Sequence, residues 1–442
     1  IAQNTTGYED YLNNVSKYNL NELAEACGIS LEQIKQTAEV FKNKSKIIAC
    51  WAMGLTQHKN AVDTIKEVVN LLLLKGSIGK EGAGTCPVRG HSNVQGDRTV
   101  GITEIPGEAM LARQDAYFGI TSPRKHGHNA VEALAAMRDG QSKALIALGG
   151  NLAVAMPDPD ACFAAFRQLD LAVHILTKFN RSCLVPGRET IILPCLGRTE
   201  LDVQAGGPQA VTVEDSMSMV HASRGKLKPA APDLMSEPAI IAGMAKATLG
   251  ASGIDWDGMI ADYDRIRDGI EAVFPDFRDF NRRVRVPGGF RLTVGASQRV
   301  WNTPDGKAHF IVHSGTDQDK GQADGQLTLT TIRSHDQYNT TIYGLNDRYR
   351  GITGRRDVLF MNAQDMAAIG VAHGEQVDVV AGPDRVLRNQ VAIRHDIAAG
   401  SIAAYYPEAN CLIPLDDHDG KSGTPAYKAV AVTVRPAEKV AA

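Results

Sequence analysis

Short apolar segments alternate with longer amphipathic ones along the first two hundred residues of this chain. A run of apolar residues bounded by turn signals predicts a strand that is buried on both faces, because such a strand needs no polar side. Strands of this kind are predicted at 46–53, 143–148, 171–177 and 189–194, and helical patterns at 20–42, 62–75, 160–169 and 238–249. Strand–loop–helix units build parallel sheets. We therefore predict an α/β fold of layered, doubly wound sheets with helices on both faces.

The pattern changes near residue 325. The polar, glycine-rich segment 315–325 is predicted to be a solvated linker. Beyond it, strands are predicted at 327–332, 357–361, 376–380, 386–393, 401–405 and 429–434, with one short helix at 363–369. Many short strands with little helix predict a six-stranded β-barrel. The expected domains are an α/β region over 1–325 and a C-terminal barrel over 326–442.

Charge and hydropathy exclude several classes of function. The 47 Lys and Arg residues nearly balance 50 Asp and Glu residues, so no basic field attracts nucleic acid. The longest apolar run, at 68–74, is too short to span a bilayer. The chain begins without methionine and directly in helical patterning, which we interpret as the interior of a longer protein.

Seven cysteines are scattered along the chain without a Cys-x-x-Cys pair. This pattern argues against a zinc ribbon, an iron–sulfur cluster within these residues or a disulfide framework, and it favours a reducing, cytoplasmic compartment. Cys86, which precedes a proline, is interpreted as an ordinary buried thiol.

The segment CPVRGHSNVQGDRTVG, residues 86–101, combines two arginines, a histidine, glycines and an Asn/Gln pair. This composition does not build a core and suits a buried polyanion or a charged substrate. Ligands of α/β sheets bind beyond the carboxyl ends of the strands, where helix N-termini present N–H groups. The donor-rich loops 54–58, 149–151 and 177–182 follow three predicted strands and suit a phosphate or a purine. No GxGxxG follows a strand, and GxxxxGK[ST], HExxH and a nucleophile elbow do not occur.

Several separated blocks together carry a family resemblance that covers nearly the whole chain. Blocks 50–101, 327–344, 362–380 and 424–434 resemble the molybdenum formate dehydrogenases and their relatives in the dimethyl sulfoxide reductase superfamily. Blocks 179–204 and 213–225 are similar to a formate-dehydrogenase-like alpha-subunit subgroup. The chain thus looks like the C-terminal portion of such a subunit.

The resemblance implies a bis-molybdopterin guanine dinucleotide cofactor with molybdenum, held between α/β domains and the barrel. By motif position, Arg89 and His91 are the implied catalytic residues, and Arg89 would orient a substrate carboxylate with its planar fork. His91 stands where formate dehydrogenases often have glutamine. The implied cofactor contacts are Gly54, Gln57, His58, Asn151, Thr177, Asn180, Arg181, Arg333, Gln337, Tyr338, Asn339, Asn362, Asp365, Asn410, Tyr427 and Lys428.

The expected function is two-electron oxidation of formate or a similar small substrate by a molybdenum-dependent oxidoreductase. The family's [4Fe-4S] cysteines and metal ligand match nothing here, so the cluster that accepts the electrons is expected in a missing N-terminal part, and the fragment alone is expected to be inactive. The expected partners are a small-molecule substrate and an electron-transfer subunit, with no nucleic acid and no membrane span. The alternative is a non-catalytic scaffold relative of the same fold within a larger electron-transfer complex. Arg89 and the clustered donors weigh against this alternative.

Overall fold

A computed structural model describes residues 3–313 and 325–438, so nearly all of the predicted linker lies outside the described residues. The chain divides into two compact units. The barrel unit comprises Ile1–Val88, Val294–His335 and Leu345–Ala442, and the central unit comprises Arg89–Thr293 and Asp336–Gly344. Each unit is described by itself.

The barrel unit begins with a small α/β region. Its elements are β1 (Thr5–Thr6), α1 (Tyr8–Val15), α2 (Leu20–Cys27), α3 (Leu31–Asn43), β2 (Ile48–Trp51), α4 (Met53–Thr56), α5 (Ala61–Leu74) and β3 (Gly84–Pro87). The helix predicted at 20–42 is two helices, because Gly28 turns the chain at a φ of 67° and Ser30 begins α3 with a capping box to Gln33. Strands β2 and β3 form a two-stranded parallel sheet.

The central unit contains a three-stranded parallel sheet and a three-stranded antiparallel sheet. Its elements are α6 (Val94–Thr99), α7 (Glu108–Phe118), α8 (Ala130–Arg138), β4 (Ala144–Leu148), α9 (Leu152–Ala155), α10 (Pro159–Arg167), β5 (Leu171–Leu176), β6 (Glu189–Pro194), β7 (Val203–Gln204), β8 (Gly207–Pro208), β9 (Val211–Glu214), β10 (Met219–Ser223), α11 (Glu237–Leu249), α12 (Trp256–Ala261), α13 (Asp264–Val273), α14 (Phe280–Val284) and β11 (Phe290–Arg291). A 3-10 helix, Arg181–Leu184, follows β5. The parallel sheet has the order β4-β5-β6, and its central strand is buried nearly throughout.

The third stretch of chain completes the barrel unit. Its elements are β12 (Ala308–His309), β13 (Leu327–Ile332), β14 (Val358–Met361), α15 (Ala363–Ile369), β15 (Gln376–Ala381), β16 (Arg385–Arg394), β17 (Ser401–Tyr405) and β18 (Val430–Pro436). The strands β13-β17-β14-β16-β15-β18 close into a six-stranded barrel. Alternate residues of β13, such as Leu329, point into a core in which several side chains are fully buried. The mixed α/β fold with a six-stranded barrel is confirmed.

The apolar run at 68–74 lies in α5, which is 14 residues long. A bilayer-spanning helix needs about 20 apolar residues. Across 3–313 and 325–438, no helix combines the length and the apolarity that crossing a membrane requires.

Replacing Leu329 by alanine should destabilise the barrel. Leu329 is fully buried in the barrel core, so Leu329→Ala leaves a cavity and should lower the free energy of unfolding by about 2–5 kcal/mol. The measurement is urea unfolding, followed by tyrosine fluorescence or hydrogen exchange of the barrel amides. The matched control is Leu345→Ala, at an exposed leucine of the same unit, which should change stability by less than about 0.5 kcal/mol. Equal effects of the two substitutions would contradict the barrel packing.

Candidate functional site

The barrel unit contains a cavity of about 440 Å³ where the chain leaving β2 meets the barrel. Five of the residues expected to contact a cofactor line it: Gly54, Gln57, His58, Arg333 and Lys428. The other lining residues are Ala52, Met53, Thr330, Thr331, Ile332, Arg350 and Tyr406. Segments that are far apart in the sequence therefore meet at one site.

Hydrogen bonds hold the lining segments in place. The backbone N–H of Lys428 donates to the Gln57 carbonyl at 3.1 Å, which ties the turn before β18 to the loop after β2. The His58 ring nitrogen Nε2 donates to the Gly54 carbonyl at 3.0 Å, which closes that loop. The cavity lining is thus held in place by hydrogen bonds within the protein itself.

The cavity is lined by three cationic side chains and, among the described residues, by no carboxylate. The Arg350 guanidinium is held at 2.6 Å by Asp347, a buried residue behind the lining. The Arg333 guanidinium lies 5.2 Å from the centre of the Tyr406 ring, at a distance typical of a cation–π contact. These contacts orient the two arginines at the cavity, and the charge of Arg350 is paired with the carboxylate of Asp347.

Lys428 is the most perturbed of these cations. Its Nζ donates to the carbonyl of Thr331 and, at 3.2 Å, to the Thr331 hydroxyl. Burial, together with the positive charge of Arg333, lowers the pKa of Lys428 to about 8. Both causes disfavour the protonated amine. A bound anion would act in the opposite direction and restore the charge.

Four further residues predicted in the barrel lie outside this lining. Asn362 caps α15 by accepting from the Gln364 N–H at 2.8 Å, and its amide donates to the Ile397 carbonyl at 2.6 Å. The Asp365 carboxylate accepts from the Gly400 N–H at 2.9 Å. Asn410 is fully buried in the 3-10 helix Glu408–Leu412, and the buried Tyr427 ring packs edge-on against Tyr406.

In the central unit, Asn151 is the hub of a buried hydrogen-bond network. Its amide nitrogen donates to the Thr340 hydroxyl at 3.0 Å, and its amide oxygen accepts from the Ser182 hydroxyl at 2.9 Å. Asn180 donates to the Gly150 carbonyl at 2.9 Å. These contacts tie the loops after β4 and β5 to the segment 336–344.

The remaining predicted residues of the central unit have different surroundings. The Gln337 amide donates to the Asn339 carbonyl at 3.4 Å, and Asn339 Oδ1 accepts from the N–H groups of Thr341 and Ile342, while the Tyr338 side chain is exposed. The Arg181 guanidinium lies 5.9 Å from the centre of the Phe163 ring. Thr177 lines a second cavity, of about 520 Å³.

That second cavity is lined by both acidic and basic groups. Besides Thr177, its lining includes Ser92, Asn93, Arg198, Glu200, Asp202, Glu237 and Tyr263. The Tyr263 hydroxyl donates to Asp202 at 2.6 Å, and burial raises the pKa of the Glu237 carboxyl. Ser92 and Asn93 belong to the segment 89–96, named here the Arg89 loop, which ends in the first turn of α6. Two residues of this loop therefore line the cavity.

The predicted catalytic residues Arg89 and His91 are exposed on this loop. Within the described parts of the chain, no carboxylate lies within ion-pair distance of the Arg89 guanidinium. The backbone N–H of Arg89 donates to the Ser216 hydroxyl at 3.3 Å. The backbone of Arg89 is therefore held while its charge remains available to a ligand.

Glu214 anchors the middle of the loop. Its backbone N–H donates to Asn93 Oδ1 at 3.0 Å, and its carboxylate accepts from the Gln95 amide at 2.9 Å. Asn93 has a left-handed φ of 66°. A Cβ at Gly96 would lie 1.9 Å from Asn93 Oδ1, so this close approach requires glycine.

Arg198 holds the loop at a second point. It donates to the hydroxyl of Ser92 and, at 3.2 Å, to the hydroxyl of Ser223. Sequence reasoning did not identify Arg198, Glu214 or Ser216 as site residues. The available signal was their position inside blocks 179–204 and 213–225, which carry the resemblance.

Two family profiles match the chain. Residues 9–184 match the molybdopterin oxidoreductase family, and residues 327–431 match the molydopterin dinucleotide binding domain. The second match includes most of the closed barrel.

Relatives match over very different lengths. Protein YdeP of Escherichia coli K12 is 48% identical over 444 aligned residues, which include 99% of this chain and 58% of YdeP. The chain thus spans little more than half the length of that relative. A Bacillus subtilis protein named as a candidate formate dehydrogenase, YrhE, is 32% identical over 162 residues, which include 35% of this chain and 16% of YrhE.

Among solved structures, the acetylene hydratase from Pelobacter acetylenicus has a similar fold, with a TM-score of 0.67 at 16% identity, covering 98% of this chain and 67% of that chain. At this identity, the likeness concerns the fold alone. From the two profile matches, the chain belongs to the molybdopterin oxidoreductase family, and it includes a molydopterin dinucleotide binding domain.

Proposed function

We propose that this chain is the part of a molybdenum oxidoreductase that binds molybdopterin guanine dinucleotide, and that the whole protein removes two electrons from formate or a similarly small substrate. The observation that carries the proposal is the cationic cavity of the barrel unit. It lies within the unit that contains the matched dinucleotide-binding domain.

The donor set of this cavity fits a dinucleotide. A diphosphate needs cations and hydrogen-bond donors, and the cavity offers Arg333, Arg350 and Lys428 together with Gln57. Burying a diphosphate without such partners would cost several kcal/mol per charge. The lowered pKa of Lys428 supports the same reading, since a diphosphate would relieve the repulsion from Arg333.

A bis-dinucleotide cofactor requires a second set of contacts. We assign these to the loops of the central unit that carry Asn151, Thr177, Asn180 and Arg181. The segment 337–339 and the barrel residues Asn362, Asp365, Asn410 and Tyr427 complete the proposed contact set. Since the side chains of Asn151, Asn180, Asn362 and Asp365 already hold neighbouring loops, their contribution would be to shape the site.

The bound molybdenum cofactor supplies the two-electron acceptor. Oxidation of formate to carbon dioxide releases two electrons and one proton. In this proposal Arg89 pairs bidentately with the formate carboxylate, which orients the C–H bond, and the exposed His91 is available to take the proton. A [4Fe-4S] cluster outside this chain, an electron-transfer subunit and a cytoplasmic location complete the proposal for the whole protein.

The support of the Arg89 loop is part of this proposal. Glu214, Ser216 and Arg198 form hydrogen bonds with the backbone and with neutral side chains of the loop. None of these bonds uses the Arg89 guanidinium. The loop is thus fixed without neutralising the charge that would bind the substrate, as preorganised electrostatic stabilisation requires.

Binding of guanosine diphosphate to the cofactor-free full-length protein should weaken as pH rises from 7 to 9. Lys428 loses its proton near pH 8 in the empty cavity, so the protonated, anion-binding form is lost over this range. Lys428→Gln should bind at least about tenfold more weakly at pH 7, since a hydrogen bond to a charged group contributes about 1.5–3 kcal/mol, and should show a flatter pH profile. The measurement is isothermal titration calorimetry.

The matched control for this prediction is Lys421→Gln, which also removes one lysine charge. Lys421 pairs with Asp63 and does not line the cavity, so its replacement should leave both affinity and pH profile unchanged. If Lys428→Gln binds guanosine diphosphate as the unmodified protein does, the diphosphate assignment is wrong.

Arg89→Ala in the full-length protein should retain molybdenum and pterin but lower kcat/KM for formate by at least about tenfold, through loss of charge-assisted hydrogen bonds. Arg89→Lys should recover only part of the activity, because an ammonium lacks the planar fork. The control is Arg98→Ala, at an exposed arginine that pairs with the half-buried Glu104, and this variant should turn over formate normally. Unchanged formate turnover by Arg89→Ala, with cofactor bound, would remove Arg89 from the proposal.

Glu214→Ala should loosen the Arg89 loop. Loss of the buried carboxylate leaves the Gln95 amide without its 2.9 Å acceptor, at a cost of about 1–3 kcal/mol. The expected result is faster hydrogen–deuterium exchange of the amides in 89–96, with a rise in KM. Glu104→Ala removes the ion pair with the exposed Arg98 and the hydrogen bond from Thr103, and it should leave exchange of 89–96 unchanged. Glu214→Gln, which keeps an acceptor oxygen, should restore most of the protection. Normal exchange in Glu214→Ala would show that the loop is held by other contacts.

A further inference from the structure

Cys50 and Cys86 are direct neighbours across the β2–β3 sheet. The parallel register pairs Ile48 with Gly84 and places Cys50 opposite Cys86. Side chains alternate between the two faces of a strand, so paired residues of neighbouring strands point to the same face. The two thiols, 36 positions apart in the sequence, therefore lie side by side.

The spacing between neighbouring strands suits a covalent link. Adjacent strands lie about 4.7–4.9 Å apart, and disulfide-linked residues have Cα separations of about 4.4–6.8 Å. A bond between these two sulfurs thus needs side-chain rotation and no rearrangement of the sheet. The sequence-based interpretation of Cys86 as an ordinary buried thiol is incomplete, since Cys86 is only half-buried and has a thiol neighbour.

The two thiols differ in their exposure to solvent. Cys50 is exposed, whereas Cys86 is half-buried. Burial, and then the charge and hydrogen bond of Cys50, raise the pKa of Cys86. The exposed Cys50 is therefore the thiol that an external reagent meets first, and Cys86 is positioned to act second.

We propose that Cys50 and Cys86 form a reversible dithiol–disulfide site that is oxidised by low-molecular-weight disulfides. The Cys50 thiolate attacks one sulfur of the small disulfide, so that a mixed disulfide forms and one small thiolate leaves. The Cys86 thiolate then attacks the Cys50 sulfur and displaces the second small thiolate. The protein loses two hydrogens in total, and the small disulfide is reduced to two thiols.

The position of the pair gives the site a structural consequence. Strand β2 leads directly into Gly54, Gln57 and His58, which line the cationic cavity of the same unit. A bond from Cys50 to Cys86 would fix the register of the strand that carries this loop. Exposed disulfides are generally the ones that small thiols reduce readily, which makes the link reversible.

The test is oxidation of the full-length protein with glutathione disulfide, followed by peptide mapping with mass spectrometry. We expect a crosslinked pair of peptides containing Cys50 and Cys86, with the mass of two hydrogens lost, and its disappearance after treatment with dithiothreitol. Cys86→Ser should stop the reaction at a stable glutathione adduct on Cys50, and Cys50→Ser should abolish the crosslink. Circular dichroism establishes that each variant is folded.

The matched control is Cys27→Ser, because Cys27 is also exposed but lies on helix α2. This variant should form the Cys50–Cys86 crosslink as the unmodified protein does. The proposal is overturned if glutathione remains on Cys50 while Cys86 stays reduced in the unmodified protein. It is equally overturned if both thiols stay reduced under conditions in which Cys27 is modified. The test does not depend on molybdenum, pterin or enzymatic activity.

Discussion

The unfavourable placement of Lys428 beside Arg333 is the constraint from which the barrel-unit site is best understood. A buried ammonium next to a guanidinium loses hydration and gains repulsion, and both effects lower the pKa of Lys428. The proposed diphosphate would remove this penalty, because an anion beside Lys428 favours the protonated amine. Behind Arg350, which lines the same cavity, the buried Asp347 carboxylate pairs with the guanidinium.

Polar residues near the proposed sites fall into two groups, which the sequence alone does not separate. Arg333 lines a cavity, whereas the side chains of Asn151 and Asn362 satisfy neighbouring backbone or hydroxyl groups. Lys428 does both, since it lines the cavity and donates to Thr331. Both groups have the composition expected of a ligand-binding loop. The second group lowers the free energy of the loop conformation, since a buried amide without partners would be costly. A donor-rich loop therefore indicates a site but does not reveal which donors reach the ligand.

The predictions from sequence were most accurate where local patterning determines the structure. The strands at 327–332 and 401–405 and the helix at 363–369 were predicted with the observed bounds, because alternating burial and helical spacing are local signals. Between residues 195 and 314, the helix at 238–249 was the one element predicted from sequence. The core of this region joins Val220 to Phe277, Phe280 and Phe290, and contacts over such sequence separations leave no periodic pattern. Likewise, the buried Asp419 accepts from the Val62 N–H near the start of α5, across a separation of 357 positions in the sequence.

The hydrogen bonds described for the Arg89 loop hold backbone and neutral side-chain groups and do not involve the Arg89 guanidinium. An ion pair would hold an arginine firmly, but it would also compete with any anionic substrate for the same guanidinium. Here the holding contacts are placed on the backbone of Arg89 and on the side chains of Ser92, Asn93 and Gln95. The partner Glu214 directs its one hydrogen-bonded carboxylate oxygen at Gln95. The groups that hold the loop and the guanidinium that the proposal assigns to a small carboxylate are thus different groups.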